Sequence, residues 1–156
     1  MRVVLDTNVL VRAVLSARSS SWRALVLAFK GRLKTIYNAA IMAEYHAVLT
    51  RPELGLDPGR VRKVLQRVKK TGRAVTRGRG PPLPSIALPD EDDRPFMQLA
   101  LNGKAQLILT YNQRDFPRTV CPVPAITPGE LLGLLEHLRL RRPRRPRPRR
   151  TRRAPG

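Results

Sequence analysis

Val3-Val4-Leu5 stand unbroken before the polar triplet Asp6-Thr7-Asn8. A short apolar run bounded in this way reads as a buried strand, and the triplet falls where a strand gives way to a helix. Farther along, the period becomes helical. Ile41, Glu44, Tyr45 and Val48 share one face, as do Val61, Val64, Leu65 and Val68, and Asp93 is followed by Phe96, Met97, Ala100 and Leu101 at i+3, i+4, i+7 and i+8. Leu107-Ile108-Leu109-Thr110 reads as a second buried strand. The predicted order is strand 2–6, helices 8–16 and 20–30, strand 33–37, helices 39–50 and 58–71, a basic Pro-rich loop, helix 93–103, strand 106–110, short strand 124–126 and helix 128–138. Strands alternating with helices predict an α/β fold, a three-layer sandwich whose central, mainly parallel sheet is flanked by helices through right-handed crossovers. Thr127, Pro128 and Glu130 predict a capping box at the start of the last helix.

Ligand sites of open parallel sheets gather beyond the carboxyl ends of the strands, so Asp6 sits where chemistry is placed. Two other acids break the pattern around them. Glu44 interrupts the stripe of its helix, and Asp93 begins the stripe of its own. A buried carboxylate costs roughly several kcal/mol unless it is protonated, paired or bound to metal. Each acid taken alone has a structural reading: Asp6 as an N-cap, Glu44 as partner of a core-facing Arg, Asp93 as a cap or first-turn acid, Asp90 to Asp92 as a solvated turn. Taken together they suggest one pocket. Carboxylates gathered in this way resist ionising together and imply a divalent cation, and an all-oxygen donor set suits Mg²⁺ or Mn²⁺ rather than zinc. His46 lies on a different face from Glu44 and His137 is near the tail, so metal-activated water is preferred to a metal-free acid–base route.

Composition adds charge to this picture. The 156 residues, 42% hydrophobic, suit one domain with a core (1–138) and a tail (139–156). Net charge is +20, from 31 basic and 11 acidic residues. Residues 141–156 hold nine Arg, four Pro and no acid, which leaves 22 basic and 11 acidic side chains, or +11, in the body. Such a tail is predicted to be disordered and to bind RNA through phosphates with little sequence preference. Arg outnumbers Lys 25 to 6, so the alternative origin is a GC-rich coding sequence read past a shifted stop codon. A basic body around an acidic pocket suits a polyanion. Arg60, Lys63, Arg67 and Lys70 lie off the apolar face of their helix, either as solvated surface or as a phosphate-contacting wall continued by Arg73, Arg77 and Arg79. Arg141, Arg142, Arg144 and Arg145 of the tail join the expected RNA contacts. Only 4% of residues are aromatic, so base stacking is not expected to dominate, and Trp22 is read as a packing residue. No run spans a membrane, and Asp6 and Asn8 interrupt what begins like a signal peptide at Arg2. Cys121 is alone, which with the rest suits a reducing cytoplasm.

Asp6-Thr7-Asn8 after a strand, Glu44 on a helix, Asp93 seven residues before Ala100, and Thr110-x-Asn112 after a late strand resemble PIN domains in order and spacing. The run Glu44-Tyr45-His46-Ala47-Val48-Leu49-Thr50-Arg51-Pro52 and the acidic turn before Phe96 are similar to the branch that serves as toxins of toxin–antitoxin systems, the VapC-like ribonucleases. The resemblance covers roughly residues 1 to 135. It implies a metal-dependent endoribonuclease whose catalytic and metal-holding acids are Asp6, Glu44 and Asp93. Asn112 stands where the family usually has Asp, with an oxygen to offer but no charge. Asp92 and Asp115 are further candidate ligands, Asp115 matching a frequent second acid of the motif, and Asn8 and Thr110 support the site. The implied cofactor is Mg²⁺ or Mn²⁺, and the implied partners are RNA, a small antitoxin protein and a second copy of the chain. Two rival classes remain. One is a PIN-like RNA-binding module that has lost turnover, motivated by Asn112 and the basic surface. The other is a metal-dependent phosphatase, although the Asp-x-Asp nucleophile pattern of haloacid dehalogenases is broken by Asn8 and no P-loop is present.

Overall fold

Val3, Val4 and Leu5 are buried in β1 (Arg2–Leu5), the central strand of a five-stranded parallel sheet. The computed structural model describes residues 1–76 and 78–140. The chain continues through α1 (Thr7–Leu15), α2 (Ser20–Phe29), β2 (Lys34–Tyr37), α3 (Ala39–Leu49), α4 (Pro58–Thr71) and β3 (Arg73–Ala74). A long segment leads to α5 (Arg94–Asn102), followed by β4 (Leu107–Leu109), β5 (Ala125–Ile126) and α6 (Pro128–Leu140). Strand order is β3-β2-β1-β4-β5, with Val3 opposite Leu107 and Leu5 opposite Leu109. The expected α/β sandwich is therefore present. Steps from β1 to β2 to β3 run one way, and the step to β4 returns past β1. Right-handed crossovers then place α1–α4 on one face and α5 on the other. α5 packs across β1, β2 and β4, while α6 joins the first layer against α2. Among the described residues no helix is long and apolar enough to cross a membrane.

Most expected boundaries hold to within one or two residues, and three departures are informative. β3 lies in what reads as loop: its two residues are exposed and held by pairing with Ile36 and Tyr37, so no side-chain period announces it. On α3 the buried face is Ile41, Met42, Tyr45 and Leu49, which moves Glu44 and Val48 from the middle of the stripe to its edge. Met42 replaces them because it rests on the same layer as Ile41 and Tyr45. α6 runs to Leu140, two residues past the expected end of that helix. Its capping box forms as expected: Thr127 N–H donates to Glu130 Oε2 at 2.6 Å, and Glu130 N–H to Thr127 Oγ1 at 3.2 Å.

One device matters for the site. Residues 80–88 contain three prolines and do not pair in the sheet, so their backbone groups need other partners. Arg94, Gln98 and Asn102, spaced i, i+4 and i+8 on α5, supply them. Arg94 donates to the carbonyls of Pro84 at 3.0 Å and Ile86 at 2.6 Å. Gln98 donates to Pro81 O and accepts from Leu83 N–H, and Asn102 accepts from Gly80 N–H. The segment is thus strapped along α5, and it ends by delivering Asp90–Asp93 to that helix's N-terminus.

Gly80 lies so close that a Cβ there would sit 2.6 Å from the carbonyl carbon of Leu101 and 2.8 Å from its oxygen, backbone atoms that cannot swing aside. Gly80→Ala is expected to destabilise the protein by about 1–3 kcal/mol and to speed proteolysis between residues 80 and 90. Urea unfolding checks the first effect and limited proteolysis the second; wild-type behaviour in both would mean that the strap is not packed.

Candidate active site

Strand order reverses between β1 and β4, and open α/β sheets bind ligands in the crevice beyond the carboxyl ends at such a point. Asp6 leaves β1 there. Its N–H donates to Leu109 O at 2.9 Å, and its carboxylate is only 6% exposed. Thr110, fully buried at the end of β4, donates its hydroxyl to Asp6 Oδ2 at 2.6 Å. Asp6 does stand at the N-cap position of α1, yet its side chain makes no capping hydrogen bond. Burial raises its pKa above the usual carboxylate value, with Glu44 adding to the rise, against the hydroxyl of Thr110 and the nearby N–H groups of Asn8 and Thr7.

Glu44 enters from α3. Thr7 Oγ1 donates to Glu44 Oε1 at 2.6 Å, tying α1 to α3. No arginine pairs with it: among the described residues the one salt bridge joins Arg94 to Glu91. The adjacent Tyr45 is buried and donates its hydroxyl to Leu5 O, which pins α3 to the end of β1. Burial, with the charges of Asp6 and Glu44, raises the Tyr45 pKa further and keeps it a donor.

Asp93 completes the convergence from the N-terminus of α5. It is half-buried and makes no capping hydrogen bond. Its pKa is pushed up to about 7, first by burial and then by Asp6, Asp90, Asp115 and Glu44. Acids from four separate segments therefore act on one another, and no cation offsets them. Asp92 is exposed, its N–H held by Asp90 Oδ1. Asn112 is also exposed: its N–H donates to Thr110 Oγ1, and its side chain does not cap the 3-10 turn Gln113–Asp115 that follows. Asp115 is half-buried, with its charge bearing on Asp93.

Chemically the donor set fits a hard divalent cation. It is made of carboxylates, and Asn8 adds a buried Oδ1 that has no hydrogen-bond partner. Among the described residues no three acids stand close enough to form a ligand group. Asp6 and Asp93 are placed to hold such an ion, with Glu44 and Asp115 beside them.

The expected basic residues fall around this pocket as surface. Arg60, Lys63, Arg67 and Lys70 are exposed on α4, and Arg73 and Arg79 are exposed on β3 and the segment after it. Arg77, Arg141, Arg142, Arg144 and Arg145 lie outside the described residues. A cleft of about 1140 Å³ between α3, α4 and β3 is lined by Met42, His46, Leu65 and Val75, and none of the acids borders it. Three contributors were not legible beforehand. Thr7 and Tyr45 act through oxygen atoms of other segments. Tyr111 carries the Arg12 guanidinium 4.1 Å above its ring and shares a 2.7 Å hydrogen bond with the buried Ser21.

In a native state that raises the Asp93 pKa from 3.8 to about 7, the protonated form is favoured. Stability is therefore present at low pH and lost as pH rises from about 4 through about 7. The metal-free protein should melt at a lower temperature at about pH 8 than at about pH 5.5, and Asp93→Asn should flatten that slope. Scanning calorimetry checks both; a flat wild-type profile would count against the convergence. Among known sequences, a family model for the PIN domain matches residues 2–114, a span that contains Asp6, Glu44, Asp93 and Asn112 and ends one residue short of Asp115. No curated protein and no solved structure matches the chain.

Proposed function

The chain belongs to the PIN domain family, a family with a nuclease fold, and on that premise we propose that it is an Mg²⁺- or Mn²⁺-dependent endoribonuclease. The observation that carries the reading is the mutual electrostatic pressure of Asp6, Glu44, Asp93 and Asp115 in the switch-point crevice. Packing alone does not account for it, since Asp6 and Asp93 both lose solvation and feel the charge of neighbouring acids. When bound, a divalent cation supplies Lewis-acid chemistry, easing deprotonation of water and neutralising charge that develops on the phosphoryl oxygens. Asp6, oriented by Thr110, and Asp93, at the head of α5, would hold it. Glu44, oriented by Thr7, is placed to accept a proton or hydrogen bond from the attacking water. The exposed cations of α4, with Arg73 and Arg79, bind phosphates along the strand and leave the chemistry to the acids.

Asp115 bears on the choice between nuclease and inactive RNA-binding module. The latter drew on Asn112, but a second acid of the same turn restores the charge that Asn112 lacks. A phosphatase remains the less supported class, for want of a nucleophile pattern. Within the nuclease reading, we assign the toxin role of a toxin–antitoxin pair, with a small antitoxin, a homodimer and a cytoplasmic setting, on the resemblance of residues 44–52 and the turn before Phe96.

Asp6→Asn and Asp93→Asn are each expected to lower the rate of RNA cleavage in Mn²⁺ by about 100-fold or more while circular dichroism stays native, and excess EDTA should do the same to the wild type. Full activity in either variant, or in EDTA, sinks the metal-nuclease reading. For the fourth acid, Asp115→Asn should weaken Mn²⁺ binding by calorimetry, and Asn112→Asp should change it little because Asn112 is exposed. The reverse outcome returns the fourth corner to Asn112.

A further inference from the structure

Trp22 and Phe29 sit one above the other on α2, seven residues apart, and Arg60 and Arg67 are spaced by the same seven on α4. The two pairs meet. The Arg60 guanidinium lies 5.9 Å from the Trp22 ring centre and that of Arg67 lies 5.2 Å from Phe29. The two rings touch edge to face at 6.3 Å. Together with Lys30 and Lys63 these residues line a cleft of about 470 Å³, within the usual range for small-ligand sites of roughly 300–1,000 Å³. None of the pocket acids borders it. Asp57 is its one acid, and that carboxylate already caps α4 by accepting from Arg60 N–H at 2.7 Å.

Of the seven aromatic residues, Tyr45, Phe96 and Phe116 are core, whereas Trp22 and Phe29 are only half-buried. Each ring packs partly against the core and carries a guanidinium over its face, and four cations share the cleft. The cations repel, and among the described residues none of them is salt-bridged. We propose that this cleft binds a base of single-stranded RNA, stacked on Trp22 and the Arg60 guanidinium, with the neighbouring phosphates on Lys30 and Lys63. An acidic peptide would satisfy the charges but leave the planar faces unused. This inference rests on RNA being the substrate. It departs from the expectation that stacking is not the main mode of recognition in a chain poor in aromatics: the rings are few, but two of them are gathered at a basic surface.

Trp22 is the single tryptophan, so intrinsic fluorescence reports this cleft alone. The full chain, in excess EDTA to prevent turnover, is titrated with a short oligoadenylate, with inorganic polyphosphate and with polyglutamate. Saturable quenching by the oligoadenylate, stronger than by either polyanion, is the expected result. With labelled RNA, Arg60→Gln combined with Arg67→Gln should weaken binding about tenfold, and Trp22→Leu to a similar degree, whereas Trp22→Phe should retain most of it. No quenching by RNA, or equal quenching by polyphosphate or polyglutamate, overturns the proposal, as does unchanged affinity in the double Arg variant. Repeating the titration with Asp93→Asn separates the two readings. Quenching without cleavage keeps the cleft whatever becomes of the nuclease, and cleavage without quenching removes the cleft alone.

Discussion

Thr110 donates its hydroxyl to Asp6 across the two strands between which the sheet reverses its order, and the bond holds a carboxylate that is almost wholly out of water. The arrangement costs desolvation, and the surrounding structure is organised to bear that cost without relieving it. Tyr45 and Thr7 brace the neighbouring helix against the same strand end. Among the described residues no basic side chain forms a salt bridge with Asp6 or Glu44. A fold selected for stability alone would place an apolar residue or an arginine here.

The strap along α5 serves the same point from the other face of the sheet. Prolines keep it extended, and three polar side chains of one helical face hold its backbone. Its consequence is positional: Asp93 arrives half-buried at the helix N-terminus, where burial and then the charges of Asp6, Asp90, Asp115 and Glu44 lift its pKa to about 7. A carboxylate poised near neutrality in a crevice is a mark of a site rather than of a scaffold. That inference is strengthened because the perturbing groups come from β1, α3 and the turn after β4, segments far apart in sequence.

Around this acidic centre the body of the chain is basic, and the two signs are kept apart. The α4 cations Arg60, Lys63, Arg67 and Lys70 are exposed, and among the described residues none forms a salt bridge with an acid. The separation suits a polyanion drawn in by the surface and admitted to the centre only where a cation of another kind can bridge the two. The cleft between α2 and α4, where four cations stand beside Trp22 and Phe29, adds a second feature to that surface.

Much of this was legible in the chain itself. Uninterrupted apolar runs fixed β1 and β4 because a strand buried on both faces has no polar positions to hide it, and the 3.6-residue period marked α4 and α5 for the opposite reason. Asp6, Glu44 and Asp93 stood out because each contradicted its own local pattern. Other features depended on contacts that no local pattern encodes. β3 is two exposed residues joined through backbone alone. Glu44 lies at the edge of the α3 stripe because Met42 takes its place against the core. Asn112 and Asp115 share a turn, and only the path of that turn left the first exposed and brought the second beside Asp93. Trp22 packs partly against the core, as read from sequence, but the arginine over its ring depended on the meeting of α2 and α4. Local order along the chain determined which elements form and which acids are out of place; the meeting of distant segments, where desolvation and like charge act through space, decided which of them make a site.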